Sequence, residues 1–271
     1  MKYCLFILLL FITVKGFSQP QQLFNKTDLT GWDTYIGPDL NDSGVAISII
    51  PVGLNKDPLD VFTIVDLNGE KVIRISGESW GGISTVGEFS DYHLQLKYKW
   101  GKSKWGQKKD KPRDSGLLYH AVGKHGADYG AWMRSQEFQI EEGNTGDYWG
   151  VAGGVQDIPA LMINDKYVYE PSNELITFRN KGAAGRHCVK KGMYEIADEW
   201  NTIDLYCFKD TSVHVVNGHT VMVLFNSRQQ DDNRFTPLIK GKIQIQSEGA
   251  EVYYKDIIIE KIKGIPSSVK N

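Results

Sequence analysis

The chain has 271 residues, of which 41% are hydrophobic, and this is enough to build one large core. Its formal net charge of −2 argues against a nucleic-acid partner. The 28 glycines, 13 tyrosines and 7 tryptophans are typical of many short strands joined by tight turns, and the length suits one all-β sandwich.

The first 18 residues have the pattern of a signal peptide. Lys2 supplies a positive charge, residues 5–14 form an apolar run, and small residues flank Phe17 just before Gln19. The apolar run is too short to span a bilayer comfortably. We therefore predict an exported protein, periplasmic or extracellular, with no membrane span once the signal is removed. The mature chain, 19–271, is predicted to be a single domain.

Removal of the signal leaves two cysteines, Cys188 and Cys207. An oxidising compartment would allow a disulfide between them. Cys207 falls on the inward face of a predicted strand, however, which equally suits a pair of buried thiols. The sequence leaves both possibilities open, and it argues against a zinc site because neither residue has a second cysteine nearby.

The mature chain reads as strand after strand, with no sustained helical period. The pairs Asn68-Gly69 and Asn217-Gly218 predict tight hairpin turns. The predicted strands are 45–52, 61–67, 71–76, 83–89, 92–100, 117–121, 136–141, 200–208, 212–216, 219–225, 242–247 and 252–262. Without long helices, parallel βαβ folds are excluded.

A lysine-rich loop, 101–114, lies between two of these strands. We expect most of its lysines to be solvated. Arg113 is different because it lies directly beside Asp114, at the start of a predicted strand. It is therefore a candidate substrate-binding residue. On that strand His120 is a candidate general acid or base, provided that it shares a face with Glu137 of a neighbouring strand. A purely structural histidine is the alternative.

The strand 136–141 carries the strongest chemical signal. Alternation along a strand sends Phe138 and Ile140 into the core and places Glu137, Gln139 and Glu141 together on the opposite face. Two carboxylates beside an amide can raise each other's pKa or hold a divalent cation. Glu137 and Glu141 are therefore candidate catalytic residues and Gln139 a candidate substrate-binding residue, although an ordinary solvated strand face would look similar.

A second strand repeats this acid and amide alternation. Gln246 and Glu248 lie opposite the apolar positions of 242–247 and are candidates for binding substrate. Trp149 could stack on a sugar ring, and Asp147 stands beside it. Other loop residues that could line the rim are Asp157, Arg186 and His187.

Several familiar chemistries lack support in the sequence. There is no phosphate-binding glycine loop between a strand and a helix, no serine-hydrolase elbow and no zinc-protease motif. We therefore expect no nucleotide or organic cofactor, and we leave a divalent cation open.

Motifs along the chain add a resemblance. They are 23–25, 29–32, 111–120, 137–143, 146–149, 199–202, 216–218 and 241–252. Together they resemble the 3-keto-disaccharide hydrolase domain family (3-keto-glucoside 1,2-lyase or 3-keto-2-hydroxy-glucal hydratase), over roughly 23–262. Residues 151–175 match none of its motifs. The resemblance implies an exported concanavalin A-like jelly-roll sandwich of two antiparallel sheets that cleaves 3-keto-glycosides in sugar catabolism.

Such chemistry suits the candidate residues. A ketone at C3 acidifies the proton at C2, so a base can remove it, the aglycone leaves from C1, and water then adds to complete a net hydrolysis. The reaction needs a base, an electrophile at the C3 oxygen and an acid at the leaving oxygen, roles open to Glu137, Glu141, His120 and Arg113. A divalent cation could instead stabilise the enolate.

Two other functions remain open from the sequence. The spacing of Glu137, Gln139 and Glu141 mimics the acidic strand of retaining glucanases, with Gln139 replacing the central acid, and retention needs carboxyl groups about 5 Å apart. A non-catalytic carbohydrate-binding module could use the same side chains to bind sugar hydroxyls.

Overall fold

A computed structural model describes residues 19–41 and 43–270. The predicted signal peptide lies outside the described residues. Within them, no helix has the length and apolar character needed to cross a membrane. The described chain forms a jelly-roll sandwich of two antiparallel sheets, which confirms the expected all-β fold class.

Within these two ranges, twenty strands make up the regular structure, together with short 3₁₀ helices at Gly106–Lys108 and Ser267–Val269. The strands of the first half are β1 (Gln21–Gln22), β2 (Trp32–Leu40), β3 (Ala46–Leu54), β4 (Phe62–Leu67), β5 (Glu70–Ile75), β6 (Gly81–Thr85), β7 (Tyr92–Lys104), β8 (Asp114–Val122), β9 (Arg134–Glu141) and β10 (Tyr148–Val151). Those of the second half are β11 (Gly154–Ile163), β12 (Lys166–Tyr169), β13 (Leu175–Phe178), β14 (His187–Cys188), β15 (Asn201–Phe208), β16 (Thr211–Val216), β17 (His219–Asp231), β18 (Arg234–Pro237), β19 (Lys242–Ser247) and β20 (Ala250–Lys261).

The two sheets differ in size and in role. The 12-stranded sheet runs in the order β12-β11-β17-β16-β15-β7-β20-β5-β4, with β1, β13 and β18 attached to β20, β11 and β17. The eight-stranded sheet runs in the order β14-β10-β9-β8-β19-β6-β2-β3. Its central strands carry the polar rows that the sequence singled out.

Apolar side chains from the facing surfaces of the sheets form the main core. Phe138 and Ile140 of β9 are buried there, with Ile245 of β19, opposite Leu94 and Leu96 of β7. Because successive side chains point to opposite faces, burial of Phe138 and Ile140 directs the alternate residues of β9 to the outer surface of the smaller sheet. The predicted alternation of this strand is confirmed.

The two predicted hairpin turns are also confirmed. Asn68 and Gly69 have φ angles of 56° and 83°, and Asn217 and Gly218 have 47° and 81°. Positive φ at both central residues is the signature of a type I′ turn, whose twist matches that of the flanking strands. These turns fix the register of β4 with β5 and of β16 with β17.

Both mature cysteines are free and buried. Cys207 lies in the main core, whereas Cys188 belongs to a separate apolar cluster. Burial raises the pKa of each thiol above its usual range, so neither is a ready thiolate. The sequence left open a disulfide or a pair of buried thiols, and the structure contains the buried thiols.

Candidate functional site

A cavity of about 400 Å³ lies over β10, β9, β8 and β19 on the outer face of the smaller sheet. It brings together six of the nine predicted site residues: Glu137, Gln139, Glu141, Trp149, Gln246 and Glu248. Three of them come from β9, where alternation places them in a row. Trp149 is the cross-strand partner of Glu137 on β10.

Glu137 lies at the floor of this cavity with 5% of its surface exposed. Its carboxyl group has no hydrogen-bond partner within the described residues. Burial raises the pKa of Glu137 well above its usual value, nearby Asp114 adds to the rise, and Arg186 opposes it. A carboxyl group in this setting binds a proton tightly and is a strong base once ionised.

Beside Glu137, the amide oxygen of Gln246 is buried and accepts no hydrogen bond within the described chain. An unpaired buried acceptor costs free energy, so a ligand that donated to it would bind more tightly. Gln139 differs, because its Oε1 accepts from the backbone N–H of Ile140 at 3.0 Å. Its amide NH₂ remains available as a donor.

The opposite end of the cavity holds three carboxyl groups around one ammonium. The Nζ atom of Lys108 contacts the carboxylate of Asp114 and lies 3.4 Å from Oε1 of Glu141. Burial raises the pKa of Asp114 and of Glu248; repulsion from Glu141 adds to the rise at Asp114, and repulsion from Asp114 adds to the rise at Glu248. Although burial opposes it, Asp114 raises the pKa of Lys108. Lys108 is therefore a charged member of the site and an exception to the expectation that most lysines of the loop 101–114 are solvated.

Aromatic side chains and an arginine form the walls. Trp80 and Trp132 stack at 5.2 Å between ring centroids. The guanidinium carbon of Arg186 lies 5.4 Å from the centroid of Trp149, and Nη1 of Arg186 donates to Oδ2 of Asp128 at 2.6 Å. Such walls suit a sugar, which offers apolar ring faces and polar edges.

The donor set does not fit a divalent cation. In the ranges 19–41 and 43–270, no three His, Cys, Asp or Glu side chains are placed to hold a metal ion. Where the carboxylates do gather, the ammonium of Lys108 already lies among them.

His120 is not in the cavity, and its expected position beside Glu137 is wrong. The pairing of β8 with β9 shifts register after Tyr119, and His120 has a φ angle of 52°. This bulge turns the imidazole into the interior, where it lies 5.9 Å from the ring of Tyr92. Burial lowers the pKa of His120 to about 4. Nothing in the local sequence marks a bulge at this point.

Arg113 also lies outside the cavity, so its expected position is wrong as well. Its Nη2 atom donates to Oε1 of Glu142 at 2.6 Å and to Oδ1 of Asp198 at 3.0 Å. Nη1 donates to the carbonyl of Gly101. These bonds tie the start of β8 to neighbouring loops, which is a structural role.

Asp147 faces a second cavity, of about 360 Å³, on the far side of Trp149. Its Oδ2 atom is 2.8 Å from Nε2 of His187, and its Oδ1 accepts from the backbone N–H of Lys190. His187 in turn stacks on Trp149 at 4.2 Å. Asp147 therefore supports the wall of the main cavity without lining it.

Sequence reasoning missed some residues of the site and misplaced others. Asp114 and Gly116 stand inside the motif 111–120, which could have marked them. Trp80 and Lys108 gave no signal, because they come from a loop and a short 3₁₀ helix. Of the loop residues expected at the rim, Arg186 lines the cavity, whereas Asp157 is in β11 and pairs with Arg228 at 2.8 Å.

Solved structures with similar architecture include three bacterial proteins. A candidate glycosyl hydrolase from Parabacteroides distasonis ATCC 8503 is 17% identical, with 90% of this chain and 94% of that chain covered and a TM-score of 0.49. A protein of unknown function with a galectin-like fold from Bacillus subtilis is 11% identical (91% and 96% covered, TM-score 0.46). The β-glucanase of Bacillus licheniformis is also 11% identical (92% and 100% covered, TM-score 0.43).

A comparison with curated protein sequences gives no significant match. The family described as the 3-keto-alpha-glucoside-1,2-lyase-like domain, in contrast, matches residues 19–260. That range includes every residue of the cavity, and it agrees with the resemblance found in the sequence motifs. The chain is thus a carbohydrate-active protein, and it belongs to the 3-keto-alpha-glucoside-1,2-lyase-like domain family.

Proposed function

We propose that the main cavity cleaves 3-keto-glycosides by β-elimination and hydration, a net hydrolysis in sugar catabolism. The observation that carries this proposal is Glu137, a buried carboxyl group of raised pKa that lies near the guanidinium of Arg186 at the floor of the cavity. A base beside a fixed positive charge is what proton removal next to a ketone requires.

Glu137 is the base in this proposal. It takes the proton from C2, and the C–H electron pair forms an enolate whose negative charge lies on the C3 oxygen. Arg186 provides the positive charge that stabilises that oxygen, since Asp128 already fixes its guanidinium. No metal ion takes part in the proposed steps.

Glu248 is the acid. Burial and the neighbouring carboxylates Asp114 and Glu137 raise the pKa of Glu248, which favours the protonated form that a general acid needs. The enolate electrons form a C1=C2 double bond and the C1–O bond to the aglycone breaks. As it breaks, the proton of Glu248 passes to the leaving oxygen. Water then adds at C1 and gives one proton to Glu248, while Glu137 returns its proton to C2; this completes the net hydrolysis and restores both carboxyl groups.

The remaining predicted residues bind substrate in this scheme. Gln246 accepts a hydrogen bond from a sugar hydroxyl, Gln139 donates one, and Trp149 packs against the ring. Glu141 is held by Lys108 and by the amide of Asn144 at 2.6 Å. We propose that it keeps Lys108 in place and does not act as a nucleophile. We further propose that the protein works outside the cytoplasm, after removal of its signal.

Isotope labelling tests the mechanism. Purified protein is incubated in deuterated water with a 3-keto-glucoside or with the unoxidised glucoside, and mass spectrometry follows aglycone release and labelling at C2. Elimination predicts release from the keto substrate alone, with deuterium at C2 of the product. Incubations with Glu137→Gln and without protein correct for spontaneous exchange beside the ketone.

Other outcomes would identify the rival functions. Release from the unoxidised glucoside, with C2 unlabelled, would indicate a retaining glycosidase that uses Glu137 and Glu141. Binding of both sugars without release from either would indicate a carbohydrate-binding module.

A further inference from the structure

A larger groove, of about 570 Å³, adjoins the main cavity. The two share Gly44, Trp80 and Gln107 in their linings, so a ligand can extend from one into the other past Trp80. We call it the Trp80 groove. Further lining side chains include the apolar Leu40, Ile47, Leu59 and Trp105.

The lining of the Trp80 groove combines charged side chains (Asp39, Glu78, Lys104 and Lys109) with apolar ones that are exposed at its rim. Ile47 is 68% exposed and Leu59 49% exposed. Ile47 belongs to β3, the edge strand of the smaller sheet, and residues 43–54 carry no charged side chain. Edge strands are usually protected by charges, and contiguous exposed apolar surface usually marks a binding site.

The position of the acid favours this groove for the leaving group. Glu248 lines the main cavity, and the next residue, Gly249, lines the Trp80 groove. A proton donated by Glu248 therefore reaches an oxygen at the junction of the two. The cavity beyond Trp149, in contrast, is lined by the Asp147–His187 pair and lies on the other side of the site.

We propose that the Trp80 groove binds the leaving group and that it selects 3-keto-glycosides with an apolar, ring-containing aglycone. This inference rests on the proposed function. Trp80 and Trp105 provide flat surfaces for a ring, while Ile47 and Leu59 cover its edge. Burial of these side chains by the aglycone gives the selectivity.

Two isoleucines of β3 provide a matched pair of variants. Ile47 lines the groove, whereas Ile49, two residues further on, is 96% exposed and does not. Both side chains are exposed, so replacing either by Asn should leave the fold intact. The substrates are the 3-keto-glucosides of benzyl alcohol and of methanol. These two alcohols have similar acidity, so they are leaving groups of similar quality and differ mainly in size and apolar surface.

We expect Ile47→Asn to lower kcat/KM for the benzyl substrate about tenfold and to leave the methyl substrate within about twofold. Ile49→Asn should change neither. Equal effects of Ile47→Asn on the two substrates, or no effect on either, would overturn the assignment.

A binding measurement separates this inference from the proposed function. Titration with 2-naphthol alone, followed by fluorescence, requires no turnover. We expect binding to the unmodified protein and to Ile49→Asn, and about tenfold weaker binding to Ile47→Asn, even if no 3-keto-glycoside is cleaved. If both variants lose binding equally and light scattering shows that both dissociate a dimer, the apolar edge is a contact between copies of this chain and the aglycone assignment fails.

Discussion

The carboxyl oxygen Oε1 of Glu137 and the amide oxygen Oε1 of Gln246 converge over the same glycine. Each lies 2.3 Å from the point where a Cβ atom on Gly116 would stand. The two residues come from β9 and β19, the strands on either side of β8. Gly116 therefore provides the space in which the proposed base and a substrate-binding amide approach each other.

Substitution of Gly116 tests this arrangement. In Gly116→Ala the new methyl group must displace both oxygens, because real Cβ atoms do not approach others so closely. We expect kcat to fall at least tenfold on a 3-keto-glycoside, as misplacement of a catalytic group by about 1 Å can cost more than that. Gly87→Ala is the control, since its Cβ would meet only Phe89, at 3.7 Å. Equal loss in both variants would contradict the assignment.

Neutralising Glu137 should remove activity and stabilise the fold. In Glu137→Gln we expect turnover to fall about a hundredfold or more, because the base is lost. The folded-state pKa of Glu137 lies above its ordinary value of 4.5, so its contribution to stability is complete below pH 4.5 and is lost as the pH rises toward the folded-state pKa. Thermal unfolding should therefore show a higher Tm for Glu137→Gln than for the parent at pH 8, and a smaller difference at pH 4.5. A folded variant with unchanged turnover would make Glu137 a surface residue.

Replacement of Glu248 should slow the reaction more when the leaving group is a poor one. If it donates the proton, Glu248→Gln slows release of methanol from a 3-keto-glucoside about a hundredfold and slows release of 4-nitrophenol little. The parent should also lose activity as the pH rises through the raised pKa of Glu248, and the variant should lack this limb. Equal slowing with both leaving groups would show that Glu248 only binds or positions substrate.

His120 should be important for stability and dispensable for chemistry. Asparagine tolerates positive φ better than most residues, so His120→Asn preserves the bulge while removing the ring that packs near Tyr92 and Tyr119. We expect a lower Tm, with kcat of the folded protein within about threefold of the parent. A pH–rate profile that changes shape in this variant would restore His120 as an acid or base.

The mature chain is predicted to begin near Gln19. Mass spectrometry of the N-terminal peptide, taken from protein recovered outside the cytoplasm, should find the chain cut after Ser18. An extracellular or periplasmic fraction that retained Met1 would contradict the prediction.

Much of the architecture could be predicted because it follows from local patterns. The alternation of Phe138 and Ile140 with Glu137 and Glu141 needs only a strand with one buried face. The turns at Asn68 and Asn217 need only residues that tolerate positive φ, followed by glycine. Family motifs extended these local inferences to the whole sandwich.

The predictions that failed concern residues whose positions depend on the order of strands and on irregular backbone. His120 and Glu137 lie on adjacent strands, as supposed, but a single inserted residue reverses the direction of the imidazole. Lys108 ends a short 3₁₀ helix within the segment 101–114, whose path is set by tertiary contacts, so the lysine-rich composition of that segment alone suggested solvation. Contacts between β11 and β17 or between β10 and β14 likewise join segments whose pairing no local pattern specifies.

The location of β19 in the smaller sheet has a consequence for the order of folding. β19 lies between β6 and β8, strands that precede it by more than a hundred residues. A chain still emerging from the ribosome therefore has a gap at the centre of this sheet until residues 242–247 are available. Pairings so distant in sequence form slowly. We expect any fragment that ends before β19 to remain incompletely folded, with its central strand edges open to aggregation.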